Sequence, residues 1–317
     1  SMIFARRQAA SLRAAGVAVS VFHLRSRTSL AELAREWVRF RRRLRRFAPH
    51  LVHAHFGTVT AMFAALAAPA VPLVITFRGG DLNPCSPLAS LVINPHLYKN
   101  VAYNTFTSFA PVARVCDLPL VLVVHPSLPV KTLPELIAYA KANPDKLSHP
   151  SAGNGTLSHV VMEDFKARAG IRILHVPYQG SPPAMNDLVA GNVQVAMDTV
   201  TVTKPLIDSG KLRLIAAGTL QRLPAFPDTL TIAEQGFPGL EAVAWLGVLF
   251  PAQTADERVK RLSDAVVKVV NDPAMQEKFK AVGTLPRTMP TAEFAAYLKS
   301  EDQRWSKVIA SSGIKTD

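Results

Sequence analysis

Cysteine is nearly absent: Cys85 and Cys116 are the only two in 317 residues. Two thiols cannot make a disulfide framework, so the fold must stand on its core. Neither their pairing nor the redox compartment is readable from them. Charged residues are sparse, at 19% against 49% apolar, which excludes a disordered chain because apolar surface is ample. No apolar run reaches the roughly 20 residues of a membrane span; the most apolar stretch, Ala61 to Phe77, is cut by Pro69 and Pro72. A signal peptide is not legible. Arg6, Arg7 and Arg13 precede the short apolar run Gly16 to Leu24, but His23 interrupts it and no small-residue cleavage site follows. Internal repeats and low-complexity tracts are lacking as well.

Lysine is missing from residues 1–93, where thirteen arginines stand against Glu32, Glu36 and Asp81. Nearly all of the net +13 therefore sits in that segment, while the rest of the chain balances its charges. The length suits two domains of about 100–200 residues, and the change in composition marks a seam near residues 85–93. Nucleic-acid binding is not indicated, because the basic residues crowd one helix, Arg35 to Arg46, without a known recognition module. That helix carries Trp37, Phe40, Leu44 and Phe47 at three- and four-residue spacing. Its arginines are either the solvated face of an amphipathic helix or a weak contact with an anionic membrane.

Along the chain, the periodicity predicts helices at Ala5–Ala15, Leu30–Phe47 and Ala61–Ala68, with strands at Val17–Phe22, Leu51–Phe56 and Leu73–Phe77 between them. This order is half of a doubly wound parallel sheet. From Gly79 to Tyr103 the pattern loses its period at Pro84, Pro87 and Pro95. The second segment is again α/β. Strands are expected at Leu120–His125, Ile173–Pro177, Val193–Met197, Leu212–Ala217 and Ala242–Phe250. Helices are expected at Thr132–Ala142, Leu157–Ala169, Pro182–Ala190, Val200–Ser209, Ala255–Val270, Pro273–Val282 and Thr291–Ser311.

Three polar loops are candidates for chemistry. Ser151, Ala152, Gly153, Asn154, Gly155 and Thr156 directly precede the helix starting at Leu157. Glycines let backbone amides turn inward, and an open helix N-terminus favours an anion; an ordinary capped turn fits the same residues. Tyr178, Gln179, Gly180 and Ser181 form a second loop, and Asp198 with Thr199 a third. In a parallel sheet these strand ends fall on one edge, where ligands bind. The bland alternative is that Tyr178 packs and Asp198 caps a helix. His159 is a cap or a pocket-wall residue. No catalytic set is present, since no ordered Ser/Asp/His arrangement surrounds Ser151, Ser158 and His159. His53 and His55 share a strand face, but no third ligand arrives at metal spacing. No cofactor motif is found.

From about Ile93 onward the chain resembles the tripartite tricarboxylate receptor (Bug or TctC) solute-binding family. The resemblance is carried by INPHLYKN (93–100), FAPVARV (109–115), SAGNGTLSH (151–159), HVPYQGSPPAMNDLVAGNVQVAMD (175–198) and GKLRLIA (210–216). It implies an α/β protein with two Rossmann-like lobes of a type II periplasmic-binding-protein-like fold. Residues 93–117 and 219–317 would form the first lobe and 118–218 the second. Such a receptor closes on a small carboxylate solute and presents it to membrane transporter subunits. The loops at Ser151–Thr156, Tyr178–Ser181 and Asp198–Thr199 would line the second lobe's side of the cleft. Periplasmic location follows from the resemblance, cytoplasmic from the chain as given.

Residues 4–84 instead resemble the N-terminal domain of a family-four GT-B glycosyltransferase, through FARRQAASLRAAGVAVSVF (4–22), LRRFAPHLVHAHFGTVTA (44–61) and PLVITFRGGDLNP (72–84). This implies a chimera, its first lobe incomplete and preceded by a partial GT-B-like αβ segment. Loss of the first-lobe ligand loop would weaken solute binding. The competing enzymatic reading is a glycosyltransferase fragment with His53, His55 and Arg78 in an acceptor cleft, but it lacks the donor domain.

Overall fold

The computed structural model describes residues 18, 30–48, 52–55, 73–76, 90–101, 103–312 and 314. The chain divides into two compact units, Ser1–Arg78 and Gly79–Asp317. In the first, helix α1 spans Leu30–Phe47 as its amphipathic period predicts, with Phe40 and Leu44 half-buried. Strands β1 (Val52–His55) and β2 (Leu73–Thr76) pair in parallel, with Val52 opposite Leu73 and His55 opposite Thr76. The expected helices Ala5–Ala15 and Ala61–Ala68, strand Val17–Phe22 apart from residue 18, the Arg78–Asp81 turn and Cys85 lie outside the described residues.

The second unit opens with α2 (Ser90–Leu97), where the sequence pattern had shown only a break. Pro95 lies inside this helix, and its missing N–H would have bonded the carbonyl of Leu91. That carbonyl instead accepts from the Thr105 hydroxyl at 2.7 Å and the Tyr103 hydroxyl at 3.4 Å. Tertiary donors replace the lost helix bond, so the proline is tolerated.

Strand β3 (Phe109–Val124) organises everything that follows. Sequence periodicity finds only its second half, because Pro111 and Pro119 interrupt the first. In the structure the pairing with β8 (Val243–Pro251) shifts register between Pro111 and Ala113, and Pro119 stands where β3 leaves β8; both are positions where a missing amide is tolerated. The first half of β3 pairs antiparallel with β8 (Val243–Pro251) and β9 (Leu285–Met289). The second half, from Leu120, pairs antiparallel with β6 (Val195–Thr199) and β7 (Arg213–Ala217). The pairs of this five-stranded sheet are all antiparallel, where the sequence suggested a parallel sheet. A further short pair, β4 (Ser148–Ser151) and β5 (Leu174–Pro177), runs parallel. The Gln194 amide donates to Ser148 O at 3.0 Å and so links β4 to the start of β6. Neither β4 nor β9 has a strand-like period in its sequence, because each is short and carries proline.

Helices α3 (Leu133–Ala142), α4 (Leu157–Ala169), α5 (Ser181–Val189) and α6 (Val200–Asp208) belong to the second half. Its core joins Val121 and Val123 of β3 to Ala184, Met185 and Leu188 of α5 and Val200 of α6. Leu120, Leu122 and Val124 point the other way along the strand and are equally buried, so both faces of the strand are covered. The first half packs α7 (Asp256–Val270), α8 (Pro273–Ala281) and α9 (Thr291–Ser312) around β3, β8 and β9. Phe294, Leu298, Trp305 and Ile309 form the buried stripe of α9, and Trp245 meets Phe294 edge-on at 5.4 Å. Inside this half Arg114 pairs with Asp117 and stacks 4.0 Å from the Tyr297 ring. Cys116 beside them is a free, fully buried thiol whose pKa burial pushes up to about 12.

At the junction of the two halves three backbones tie one knot. Gly218 N donates to Leu120 O at 2.9 Å, Leu120 N to Ala242 O at 2.9 Å, and Ala242 N to Gly218 O at 2.6 Å. A Cβ on Gly218 would stand 2.7 Å from Ala242 Cβ and 2.8 Å from Leu120 O. Neither atom is the end of a flexible side chain, so the strands themselves would have to part. We expect Gly218→Ala to destabilise the protein by about 1–3 kcal/mol, as overpacking of a tight core does. Urea denaturation checks this; an unchanged midpoint would show that the junction yields freely.

Candidate functional site

Helix α4 begins where β4 ends, and the turn between them is built almost entirely from its own hydrogen bonds. Thr156 is the N-cap: its hydroxyl accepts from His159 N at 3.4 Å and donates to Gly153 O at 2.7 Å. Ser151 Oγ donates to Gly153 O and accepts from Gly153 N, each at 3.1 Å. Ser158 Oγ accepts from Ala152 N at 3.3 Å and lies 3.0 Å from Thr156 Oγ1. Gly155 adopts a left-handed φ of +72°, which a side chain would strain. The amides of Asn154, Leu157 and Ser158 find no acceptor among the described residues. Asn154 is exposed, while Ser151, Gly153, Gly155, Thr156 and His159 are buried. The turn thus offers unpaired amides at the positive end of a helix, an arrangement suited to an anionic oxygen.

The second loop is bound to this one, and the third to the second through Ser181. Tyr178 N donates to Ser151 O at 3.0 Å, and Gly180 N to Ala152 O at 3.0 Å. Gln179 between them is exposed, and the Tyr178 hydroxyl turns to Asp187 Oδ2 at 2.5 Å. Burial and that neighbouring carboxylate push Tyr178 up to about 12, so it stays a phenol. Asp198, 5% exposed, accepts from Thr199 N at 2.6 Å and from the Thr199 hydroxyl at 3.4 Å. Burial raises its pKa; bonds from Ser181 and Thr199 only partly oppose that. Asp198 therefore joins the ends of β6 and α5 as a structural tie. Among the described residues no Lys or Arg side chain hydrogen-bonds to any of the three loops.

Behind the turn stands a feature that sequence spacing does not reveal. His149 on β4, His175 on β5 and His159 on α4 stack face to face, with ring centroids 4.9 Å and 3.9 Å apart and His175 in the middle. His159 Nδ1 accepts from Gly155 N at 3.1 Å, which places its proton on Nε2. Ser151 has already committed its proton to Gly153 O, so His175 Nε2 donates to Ser151 Oγ at 2.7 Å. His149 Nε2 donates to Glu163 Oε1 at 3.1 Å, and Lys166 holds the same carboxylate at 2.7 and 2.8 Å. Burial lowers all three imidazoles, and repulsion from neighbouring histidines adds to it at His159, which falls to about 4, and at His175, which falls to about 3. Burial would raise Glu163, but the bonds from His149 and Lys166 outweigh it and hold it at about 2. Stacked rings cannot converge their nitrogens on one ion, and no metal-holding group of His, Cys, Asp and Glu occurs among the described residues. The column is a neutral prop. Its signal in the sequence was only the pairing of parallel β4 with β5, which sets His149 opposite His175.

The prop titrates in a defined window. A histidine whose folded pKa lies below 6.5 contributes stability above pH 6.5 and loses it as pH falls toward the folded value. For His159 that is 6.5 down to about 4, worth on the order of 3 kcal/mol at about 1.4 kcal/mol per unit. Glu163 loses its contribution lower, from about 4.5 toward 2, so the windows barely overlap. We expect the thermal midpoint to fall by roughly 5–10 °C between pH 6.5 and 4. His175→Gln should be less stable at pH 7 yet show a shallower slope; an equal slope in both proteins would remove the histidines from the account.

Residues 86–314 match the tripartite tricarboxylate transporter family receptor (TctC) model. The protein of the tcbD–tcbE intergenic region of Pseudomonas sp. strain P51 is 38% identical over 220 residues, 69% of this chain and 66% of that one. BugT of Bordetella pertussis is 32% identical over 237 residues, 75% and 73% of the two chains. The chain thus spans about two thirds of the length of the curated relatives it matches. Among solved structures, R. palustris Rpa4515 with adipate is 30% identical with a TM-score of 0.71, covering 82% of this chain and 85% of that one. The periplasmic binding protein BugD is 29% identical with a TM-score of 0.70, covering 83% and 86%. The family is one of solute-binding receptors rather than enzymes. The fold is that of two-lobed periplasmic binding proteins, and this chain belongs to the tripartite tricarboxylate transporter receptor family.

Proposed function

We propose that the protein captures a small carboxylate-bearing metabolite outside the cytoplasm and delivers it to the membrane subunits of a tripartite tricarboxylate-type transporter. The observation that carries this reading is the joined set of loops at Ser151–Thr156, Tyr178–Ser181 and Asp198–Thr199, with the Asn154, Leu157 and Ser158 amides left for a solute oxygen. The adipate bound by Rpa4515 favours a linear dicarboxylate. In this reading residues 93–117 and 219–317 form the first lobe and 118–218 the second, with Leu120, Gly218 and Ala242 as the hinge. His159 supports the loop from behind rather than touching the solute.

We infer that the separate αβ segment, GT-B-like in its sequence, ends near residue 78 rather than 92, because Leu91 and Val92 are buried within α2 of the second unit. The parallel β1–β2 pair and the division of the chain at Arg78 support this, as does a family match that begins at residue 86. The exposed Arg41, Arg42, Arg45 and Arg46 of α1 suit weak contact with an anionic membrane. Because this segment stands in place of the family's first-lobe ligand loop, binding is weakened. Two charge-assisted hydrogen bonds lost at roughly 1.5–3 kcal/mol each move a micromolar site to about 0.1 mM or beyond.

A thermal-shift screen against C4 to C8 dicarboxylates, citrate, acidic amino acids and nucleotide-sugars tests the proposal. At 10 mM, about a hundred times that dissociation constant, a true solute stabilises the fold by about 2.7 kcal/mol. The shift should vanish in Thr156→Ala, which unties the turn for roughly 1 kcal/mol of stability. A shift with nucleotide-sugars alone would favour the glycosyltransferase-fragment reading, and none with any carboxylate would defeat the receptor one.

A further inference from the structure

Tyr98 joins the two halves of the second unit at the tip of the solute loop. It directly follows α2, which is anchored to the first half. His96 Nε2 lies 2.8 Å from Asp302 Oδ1 on α9, and Leu91, Val92 and Ile93 are fully buried. Asn154, by contrast, is the exposed apex of the turn between β4 and α4 in the other half. The Tyr98 hydroxyl donates to Asn154 O at 3.2 Å. The phenol also lies against the next residue: a Cβ on Gly155 would come within 3.0 Å of the Tyr98 hydroxyl and 3.1 Å of Leu97 Cδ1. A side chain at 155 would push the phenol and Leu97 back by a few tenths of an ångström, which gives the left-handed glycine a second reason to be there.

The choice of atom matters. Asn154 O stands four residues before Ser158 N, so it is the acceptor that amide would take if α4 were extended backward by a turn. With the carbonyl held by Tyr98, the Asn154–Gly155 peptide is fixed with its oxygen toward the first half, and the Ser158 amide stays open. Two halves that turn about the Leu120–Gly218–Ala242 junction cannot keep this contact when they part, because Tyr98 and Asn154 ride on different ones.

We propose that Tyr98 is a positioning residue for solute capture: a clasp that forms as the cleft closes and holds the Asn154–Gly155 peptide ready for the solute. This rests on the receptor reading above for its role, though not for its test. Tyr98→Phe removes the hydroxyl alone. The test places spin labels at Lys141→Cys on α3 and Lys260→Cys on α7, with Cys85 changed to Ser and buried Cys116 left in place. The distance between them is measured with and without adipate. Without any solute, Tyr98→Phe should shift the distances toward the open form, and a urea midpoint close to that of the parent should show the fold intact. With adipate, the dissociation constant should rise about three- to tenfold, the usual worth of one neutral hydrogen bond, mostly through faster release. Tyr98→Leu should shift the distances at least as far. Distances unchanged in both variants would overturn the proposal, whatever adipate does. If the parent protein binds no carboxylate, the receptor reading fails while the solute-free distances still decide on Tyr98.

Discussion

One strand belongs to two sheets. The first half of β3 is paired by β8 and β9, the second by β6 and β7, and no other strand in the unit is shared in this way among the described residues. A continuous backbone of 16 residues cannot fold in pieces, so each half must supply a sheet that fits the same twist. The chain crosses between halves once more, along the stretch bounded by Gly218 and Ala242, and both of its ends hydrogen-bond to Leu120. Relative motion of the halves is thereby confined to a narrow waist of backbone. Steric closeness at Gly218 leaves that waist no slack for even one methyl group.

From this waist the position of the site follows. β6 returns antiparallel to β3 and delivers Asp198 opposite Val121, close to the junction. β4 is tied to β6 through Gln194, whose side chain also accepts from Ser148 N at 3.0 Å, and β5 is tied to β4. Each strand therefore ends in a loop at the same edge, and the hydrogen bonds from Tyr178 and Gly180 lock those loops together. Aligned ends of this kind give fixed dipoles that need no rearrangement when an anion arrives.

Much of this was legible in the residues. The amphipathic periods of α1, α4 and α9 located them to within a residue, and Gly153, Gly155 and Thr156 announced a capped helix start. What was not legible depended on distant partners. Helix α2 survives Pro95 only because Thr105 and Tyr103 reach Leu91 O, and no local window contains both donors. The first half of β3 hides behind two prolines that its own register shift absorbs. The histidine column joins residues 149, 159 and 175, whose spacing matches no ligand or catalytic pattern; only the β4–β5 register and the α4 start bring them into line. Asp198 read equally well as ligand or tie, and its burial and its donors from Thr199 and Ser181 are contacts that no local window shows.

In the receptor reading proposed above, the same column leaves the loops without acid–base chemistry. Three imidazoles beside a cleft would ordinarily invite acid–base chemistry, which needs a pKa near the working pH and a free nitrogen aimed at the substrate. Here burial keeps His159 and His175 far below neutrality. Their nitrogens at the turn are already spent on Gly155 N and Ser151 Oγ, and His149 is held by Glu163. No nucleophile is activated either, since Ser151 gives its proton to a backbone carbonyl and Ser158 accepts from Ala152 N. Each group that could have been reactive is instead consumed in holding the turn rigid. In that reading, a turn held rigid by its own hydrogen bonds has little freedom left to lose on binding.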